Sequence, residues 1–415
     1  MKFSWWLVAL LWVAALLNYL DRQVIFSVFP LLQKEFRLDD IQLGLLGTAF
    51  LWVYGILSPV AGYIADRFGK RRTILFSLLV WSTVTWMTGH THSFSQLLWT
   101  RGLMGISEAF FLPAALAWVA ENHQDRTRAL ATGLFMSGNY VGIVTGGVGV
   151  GGGWMGDHFG FRFAFIVLGV FGISYTVVLW LLTRGRDGSE SGHQEASLLN
   201  SLRDVFRLRS FLFLTGIFAA VSTANWVADA WLPLHLYERH HMTLANAGFT
   251  ATFYVQVGAF AGILLGGVIA DRWVIRSHRG RVWTQALGLA AAAPFLFVVG
   301  GISSWPFLIA SLIVFGIGRG TFDSNAMPIL CQIAPPSLRA TGYGIFNCAG
   351  CIAGGVMTVF AGWIKGHVGL SIAFQFAAVM WVTSAIALAL LRFQPIAAST
   401  DERIRLAGVH LGGKL

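Results

Sequence analysis

Gly62-Tyr63-Ile64-Ala65-Asp66-Arg67-Phe68-Gly69-Lys70-Arg71-Arg72 closes one long apolar run and opens the next. Three successive basic residues after a glycine make a turn that stays in water, on the side of a membrane where positive charge is retained. A shorter copy, Gly267-Val268-Ile269-Ala270-Asp271-Arg272, recurs in the same setting. Other pairs keep nearly the same offset: Ala131-Thr132-Gly133 with Ala340-Thr341-Gly342, Asp21 with Asp229, and Glu108 plus Pro113 with Asp323 plus Pro328. An offset of about 205 to 215 residues is half of a 415-residue chain, so the sequence reads as two copies of one membrane unit.

Working outward from that turn, runs with the roughly 20 apolar residues needed to cross a hydrocarbon core number about twelve. They cover approximately 5–30, 41–65, 73–90, 96–120, 128–153, 162–183, 210–236, 244–270, 283–301, 305–333, 340–364 and 371–392. The composition agrees: 56% of residues are hydrophobic and 12% charged, against about 25% charged in soluble domains. A net charge of +10 would suit a nucleic-acid binder. The basic residues, however, fall in short clusters between runs and form no stripe, so nucleic acid is not an expected partner. Three cysteines, two of them in one apolar run, provide no disulfide framework. The first run is too long for a cleavable signal and carries Asp21-Arg22 in its middle.

The loops after even-numbered runs hold Arg67, Lys70, Arg71, Arg72, Arg126, Arg128, Arg272, Arg276, Arg279, Arg281 and Arg339. The odd loops hold only Lys34, Arg37, Arg162, Arg239 and Lys365. That asymmetry puts both termini in the cytoplasm. The longest connection divides the chain into a bundle at 1–183, a cytoplasmic linker at 184–209, a second bundle at 210–392 and a tail at 393–415. Part of the linker, 197–208, has the pattern of an interfacial helix.

Charges inside the runs need a reason, since each costs about 2.5 to 3.5 kcal/mol at bilayer depth. There are three arginines, Arg22, Arg101 and Arg319, and four acids, Asp21, Glu108, Asp229 and Asp323. Arg101 and Glu108 are two helical turns apart on one face, about 10 Å along the axis, too far to pair directly. Arg22 is the natural third member, because a guanidinium grips carboxylates with two parallel hydrogen bonds. Arg319 and Asp323 are four apart and can pair on one helix. Asn225, Trp226, Asp229 and Trp231 form an amphipathic cluster suited to hydroxylated ligands. Trp231 also has the position of an interfacial belt tryptophan. Asn347 is a candidate cavity amide, whereas Asn139, Asn325 and Gln256 suit hydrogen bonding between helices.

Gly138, Gly142, Gly146 and Gly147, with Gly149 and Gly151 to Gly153 beyond, read as a close-packing stripe. Cys348 and Cys351 read as small packing residues. His90, His92, His240 and His241 sit at run ends, in solvated loops. No Ser-His-Asp set, HExxH or hydrolase carboxylate pair fits this topology. No catalytic residue, metal site or cofactor is therefore expected, and the chain is not read as an enzyme.

The Gly62 to Arg72 segment closely resembles the signature loop of the major facilitator superfamily, and with the second copy the resemblance covers essentially the whole chain. It implies an all-α membrane protein of twelve transmembrane helices in two pseudo-symmetric six-helix bundles. Asp66, Arg67 and Arg71, with Asp271 and Arg272, would then act as conformational latches; Arg319 and Asp323 read, from their spacing and not from the resemblance, as a structural or gating pair. Tyr19-Leu20-Asp21-Arg22, Arg101, Glu108 and Phe346-Asn347-Cys348-Ala349-Gly350 look like the anion:cation symporter family, whose members carry hexonates, hexuronates and sialic acid. That resemblance implies proton-driven import in which Arg22 meets the substrate carboxylate and acids at Asp21 and Glu108 take protons. Arg101, Tyr19, Asn225, Trp226 and Asn347 complete the expected substrate set, and Asp229 is a further proton candidate. The expected partners are a small organic anion such as a sugar acid, protons and the lipid bilayer. The expected form is a monomer in a bacterial inner membrane. Spinster-type lipid carriers share the Asp-Arg pair and a run like Arg101-Gly102-Leu103-Met104-Gly105-Ile106-Ser107-Glu108-Ala109, so a lysolipid carrier or drug exporter is the alternative.

Overall fold

Apolar runs in a bilayer must satisfy every backbone group internally, and helices do so. The structure, a computed structural model, describes residues 3–123, 125–148, 153–185, 203, 206–207, 209–334 and 339–391. The first half contains α1 (Phe3–Ser27), α2 (Phe29–Phe36), α3 (Asp40–Phe68), α4 (Lys70–Thr88), α5 (Phe94–Ala109), α6 (Phe111–Glu121), α7 (Asp125–Val148) and α8 (Gly153–Thr183). The second contains α9 (Arg209–His240), α10 (Leu244–Val274), α11 (Gly280–Val299), α12 (Trp305–Ile333), α13 (Arg339–Val368) and α14 (Leu370–Leu390). Most of the expected linker, the 393–415 tail, Gly149, Gly151 and Gly152 lie outside the described residues.

These helices follow the twelve runs, with two subdivisions. Run 1 ends at Ser27, and Pro30 starts the short α2, where a proline costs no hydrogen bond. Run 4 is broken at Phe110 between α5 and α6. Pro113 explains the break: it has no N–H for the carbonyl of Ala109 and its ring crowds that oxygen. Among the described residues ten helical spans are long and apolar enough to cross a membrane. The two runs that fall short are α4 and α7. α4 buries Thr73, Ser77, Ser82, Thr85 and Thr88 against protein.

α7 supplies the small residues expected of a packing stripe. A Cβ on Gly138, Gly142 or Gly146 would strike the backbone carbonyls of Trp12, Leu16 or Leu20 on α1. Only glycine lets the two backbones approach so closely. Cys351 packs against Gly55 and is a free thiol, in keeping with a packing role. Asn325 donates to the Gly266 carbonyl on α10 at 3.5 Å, a helix-to-helix use as expected.

The halves meet along α3 with α13 and α7 with α10. Thr48 Oγ1 donates to Gly355 O at 2.7 Å, and Trp52 Nε1 to Ile352 O at 3.1 Å. Gly147 and Gly248 touch backbone to backbone. Asp157 accepts from Ala245 N at 3.3 Å, and Lys365 pairs with Asp40 at 2.8 Å. Most of the described cross-half bonds thus gather between mid-helix and the end that carries the loops at 37–39, 241–243 and 369, with Asn347 Nδ2 to Ser58 Oγ at 2.9 Å lying a little beyond mid-helix on the other side. That end is closed.

Trp231 corrects one expectation. It is fully buried, donates Nε1 to Thr358 O at 3.0 Å and meets Phe29 edge-on at 5.8 Å. Helices α2 and α13 cover the ring, so it is a core residue and not part of an interfacial belt.

Candidate functional site

The site is assembled on α1, α3 and α5 of the first half and α9 and α12 of the second. Gly105 on α5 lets that helix settle onto α3, where a Cβ would lie 2.7 Å from Phe50 O and 3.2 Å from Tyr54 N. That approach carries the Phe50 and Tyr54 rings to Arg22. The Arg22 guanidinium lies 4.7 Å from the Tyr19 ring centroid, 5.0 Å from Phe50 and 4.3 Å from Tyr54. Ring faces are attractive to a cation and hold its plane fixed. Its Nε forms an ion pair with Glu108 Oε2. Arg22 and Glu108 are both buried, Glu108 completely.

Arg101 also lies against the Phe50 ring, 4.9 Å from its centroid. It donates to Leu46 O at 3.3 Å and to Met104 Sδ at 3.0 Å and makes no direct pair with Glu108, as the two-turn spacing requires. Asp21, the neighbour of Arg22, is directed away from it and accepts from Thr85 Oγ1 at 3.2 Å. Arg22 Nη2, Arg101 Nη2, Glu108 Oε1 and Asp21 Oδ1 retain unused hydrogen-bonding capacity. Asn18 is buried beside Glu108, and its amide also lies outside hydrogen-bond geometry. Such a concentration of unused polar atoms is unusual for buried groups and makes the cluster a candidate functional place.

The second half holds its own pair. Arg319 grips Asp229 with two parallel bonds, Nη1 to Oδ1 at 2.8 Å and Nη2 to Oδ2 at 3.0 Å. This corrects the expectation that Arg319 would pair with Asp323 on its own helix. Asp323 is exposed and makes no hydrogen bond or ion pair among the described residues. Tyr140 from α7 of the first half and Tyr343 from α13 of the second lie within electrostatic reach of it. Asp229 is therefore an arginine partner in this conformation.

Gln23 joins the two pairs. Its Nε2 donates to Asp229 O at 3.2 Å, so residues adjacent to one ion pair hold the backbone of the other. Tyr19 is within electrostatic reach of both Arg22 and Arg319.

The remaining candidates are dispersed. Trp226 is half-buried against Gly354 and the Phe50–Tyr54 cluster, and Asn225 Oδ1 is buried without a partner. Asn347 donates to Ser58 Oγ at 2.9 Å across the halves, so its amide stitches α13 to α3. Arg71 ties α4 to α8 through Thr183 Oγ1 at 3.0 Å and Trp180 O at 3.2 Å. Asp271 pairs with Arg281 at 3.1 Å near the protein surface, and Arg272 is exposed. The side chains of Asp66 and Arg67 lie outside the described residues. Sequence reasoning missed Gln23, Phe50 and Tyr54. Gln23 adjoins the charged pair and could have been flagged; the aromatics carry no distinguishing signal among 33 phenylalanines and 8 tyrosines.

The family model described as Major Facilitator Superfamily matches residues 11–297 and 256–407. A probable galactarate/D-glucarate transporter of Bacillus subtilis is 28% identical over 88% of this chain and 86% of its own length. A D-galactonate transporter of Escherichia coli is 25% identical over 92% of this chain and 94% of its own. Among solved structures, a bacterial homologue of the human lysosomal transporter Spinster, inward-facing and unoccupied, superposes with a TM-score of 0.75. Its identity is 20%, over 94% of this chain and 95% of that one.

Proposed function

Since the chain belongs to the major facilitator superfamily, we propose that it carries a small carboxylated organic anion of the sugar-acid class across a membrane, together with protons, by alternating access. The observation that carries the reading is the Arg22–Glu108 pair, which sits among aromatic faces with donors and an acceptor unused. The relatives named as galactarate, glucarate and galactonate transporters support the substrate class.

The chemistry follows from exchange of partners. A substrate carboxylate that takes over Arg22 leaves Glu108 without its counter-charge. An uncompensated carboxylate in a low-dielectric site costs several kcal/mol, which binding a proton offsets. Anion and proton then favour one another, and the favour is reciprocal. Asp21, held by Thr85, is the second proton candidate. With the basic loops inside, the closed end faces out. The reading places a monomer in a bacterial inner membrane with both termini cytoplasmic.

The test is uptake of labelled sugar acids into vesicles with and without an inward proton gradient. Glu108→Gln should keep exchange and lose accumulation. Uptake indifferent to the gradient removes proton coupling, and a thermal-shift response to lysolipids but not to sugar acids favours the Spinster-like alternative.

A further inference from the structure

Two arginine–carboxylate pairs occupy equivalent helices of the two halves with their partners exchanged. In the first half the arginine is on the first run and the acid on the fourth; in the second half Asp229 is on the first and Arg319 on the fourth. Partner exchange at Arg22 accounts for binding one carboxylate. It leaves Arg319 unassigned.

Three observations set the second pair apart from a structural strut. Its side chains are each 16% exposed, against 8% and 0% for Arg22 and Glu108. The bidentate grip of Asp229 is the geometry in which a guanidinium takes any carboxylate, so a ligand carboxylate is a like-for-like replacement. Asp323, one turn along α12, is exposed and free of hydrogen bonds and ion pairs among the described residues. A buried strut gains little from charge, since apolar residues of similar volume serve as well or better.

We infer that Arg319 is a second carboxylate anchor and that the preferred substrate is a dicarboxylate, with one end on Arg22 and the other on Arg319. The inference rests on the sugar-acid reading. Gln23, adjacent to Arg22 and bonded to the Asp229 carbonyl, holds the two anchors in one register. An uncharged end could not compete with Asp229 for the guanidinium, so a monocarboxylate engages Arg22 alone. The dianion frees two protein carboxylates, Glu108 and Asp229. Two protons bound there would cancel its charge.

The experiment is calorimetric titration of the purified full chain with galactarate and with galactonate, on wild type, Arg319→Gln and Arg319→Lys. A charge-assisted bond contributes about 1.5 to 3 kcal/mol, at least tenfold in affinity. Wild type should therefore bind galactarate about tenfold or more tightly than galactonate. Arg319→Gln should abolish that preference and leave galactonate within about threefold of wild type, and Arg319→Lys should keep part of it. Equal wild-type affinities for the two acids overturn the inference without any variant. So does an Arg319→Gln protein that loses both acids equally. If folded wild type binds neither acid, the sugar-acid reading itself fails and the inference falls with it.

Discussion

Asp40→Asn should loosen the closed end. Lys365 Nζ on α13 contacts Asp40 Oδ1 across the halves at 2.8 Å and Glu238 Oε1 within its own half at 3.1 Å. Gln33 Nε2 adds a bond to Asp40 Oδ1 at 3.3 Å. The Lys365 and Asp40 side chains are 13% and 18% exposed, between the regimes in which pairs are worth about 0.2 to 1 kcal/mol and about 3 to 5 kcal/mol. Glu238 stays with Lys365 after the change, so no charge is stranded, and about 1 to 1.5 kcal/mol is the reasonable loss. Asp40 also favours the amino terminus of α3, but that helix-dipole contribution is present in both conformations and cancels in their ratio. The pair exists only when this end is closed, so the whole loss moves the equilibrium, by about tenfold toward the state open there. Spin labels at the exposed positions Arg37 and His241, after replacement of the three native cysteines, report the separation of the halves by pulsed resonance. Glu238→Gln, which cuts a bond inside one half, is the control and should shift the ratio less. An unchanged distance distribution in Asp40→Asn would refute the assignment of this contact as a latch.

Gly248→Val places side-chain atoms against the Gly147 carbonyl, so the α7–α10 seam cannot close; transport should fall more than about tenfold, and the same label pair should report a wider separation. Trp231→Phe removes the bond to Thr358 O at 3.0 Å, a carbonyl that keeps its partner within α13, which should cost about 0.5 to 1.5 kcal/mol, read as a lower melting temperature. Asp39→Ala breaks a capping box in which Asp39 Oδ1 accepts from Gln42 N at 2.7 Å and Gln42 Oε1 from Asp39 N at 3.0 Å. About 1 kcal/mol of stability should be lost, visible as earlier thermal unfolding.

Much of the architecture was legible because membrane-spanning helices announce themselves by length and composition, and the repeat at Gly62 and Gly267 announced two halves. The intramembrane charges were equally visible, since nothing but a protein interior tolerates them. Their partners were not. Sequence spacing favours Arg319 with Asp323, yet an arginine placed before an acid at this spacing is the weaker orientation on a helix. The long guanidinium instead reaches Asp229 on a facing helix, a neighbour that only tertiary packing supplies. Trp231 misled for the same reason: proximity to a helix end suggests an interface until α2 and α13 are seen to cover it. Asn347 was read as a cavity amide, and it bonds Ser58 because the α3–α13 seam brings the two together.

The interruption at Phe110 gives the fourth run a mechanical character. A continuous helix resists bending because its backbone bonds must stretch together, whereas one already missing at Ala109 offers a joint that breaks nothing when it flexes. Glu108 stands on the fixed side of that joint. The arm beyond it, α6, is fastened to α4 through Glu121 and Lys70. The two can therefore swing as one lever while the carboxylate keeps its hold on Arg22.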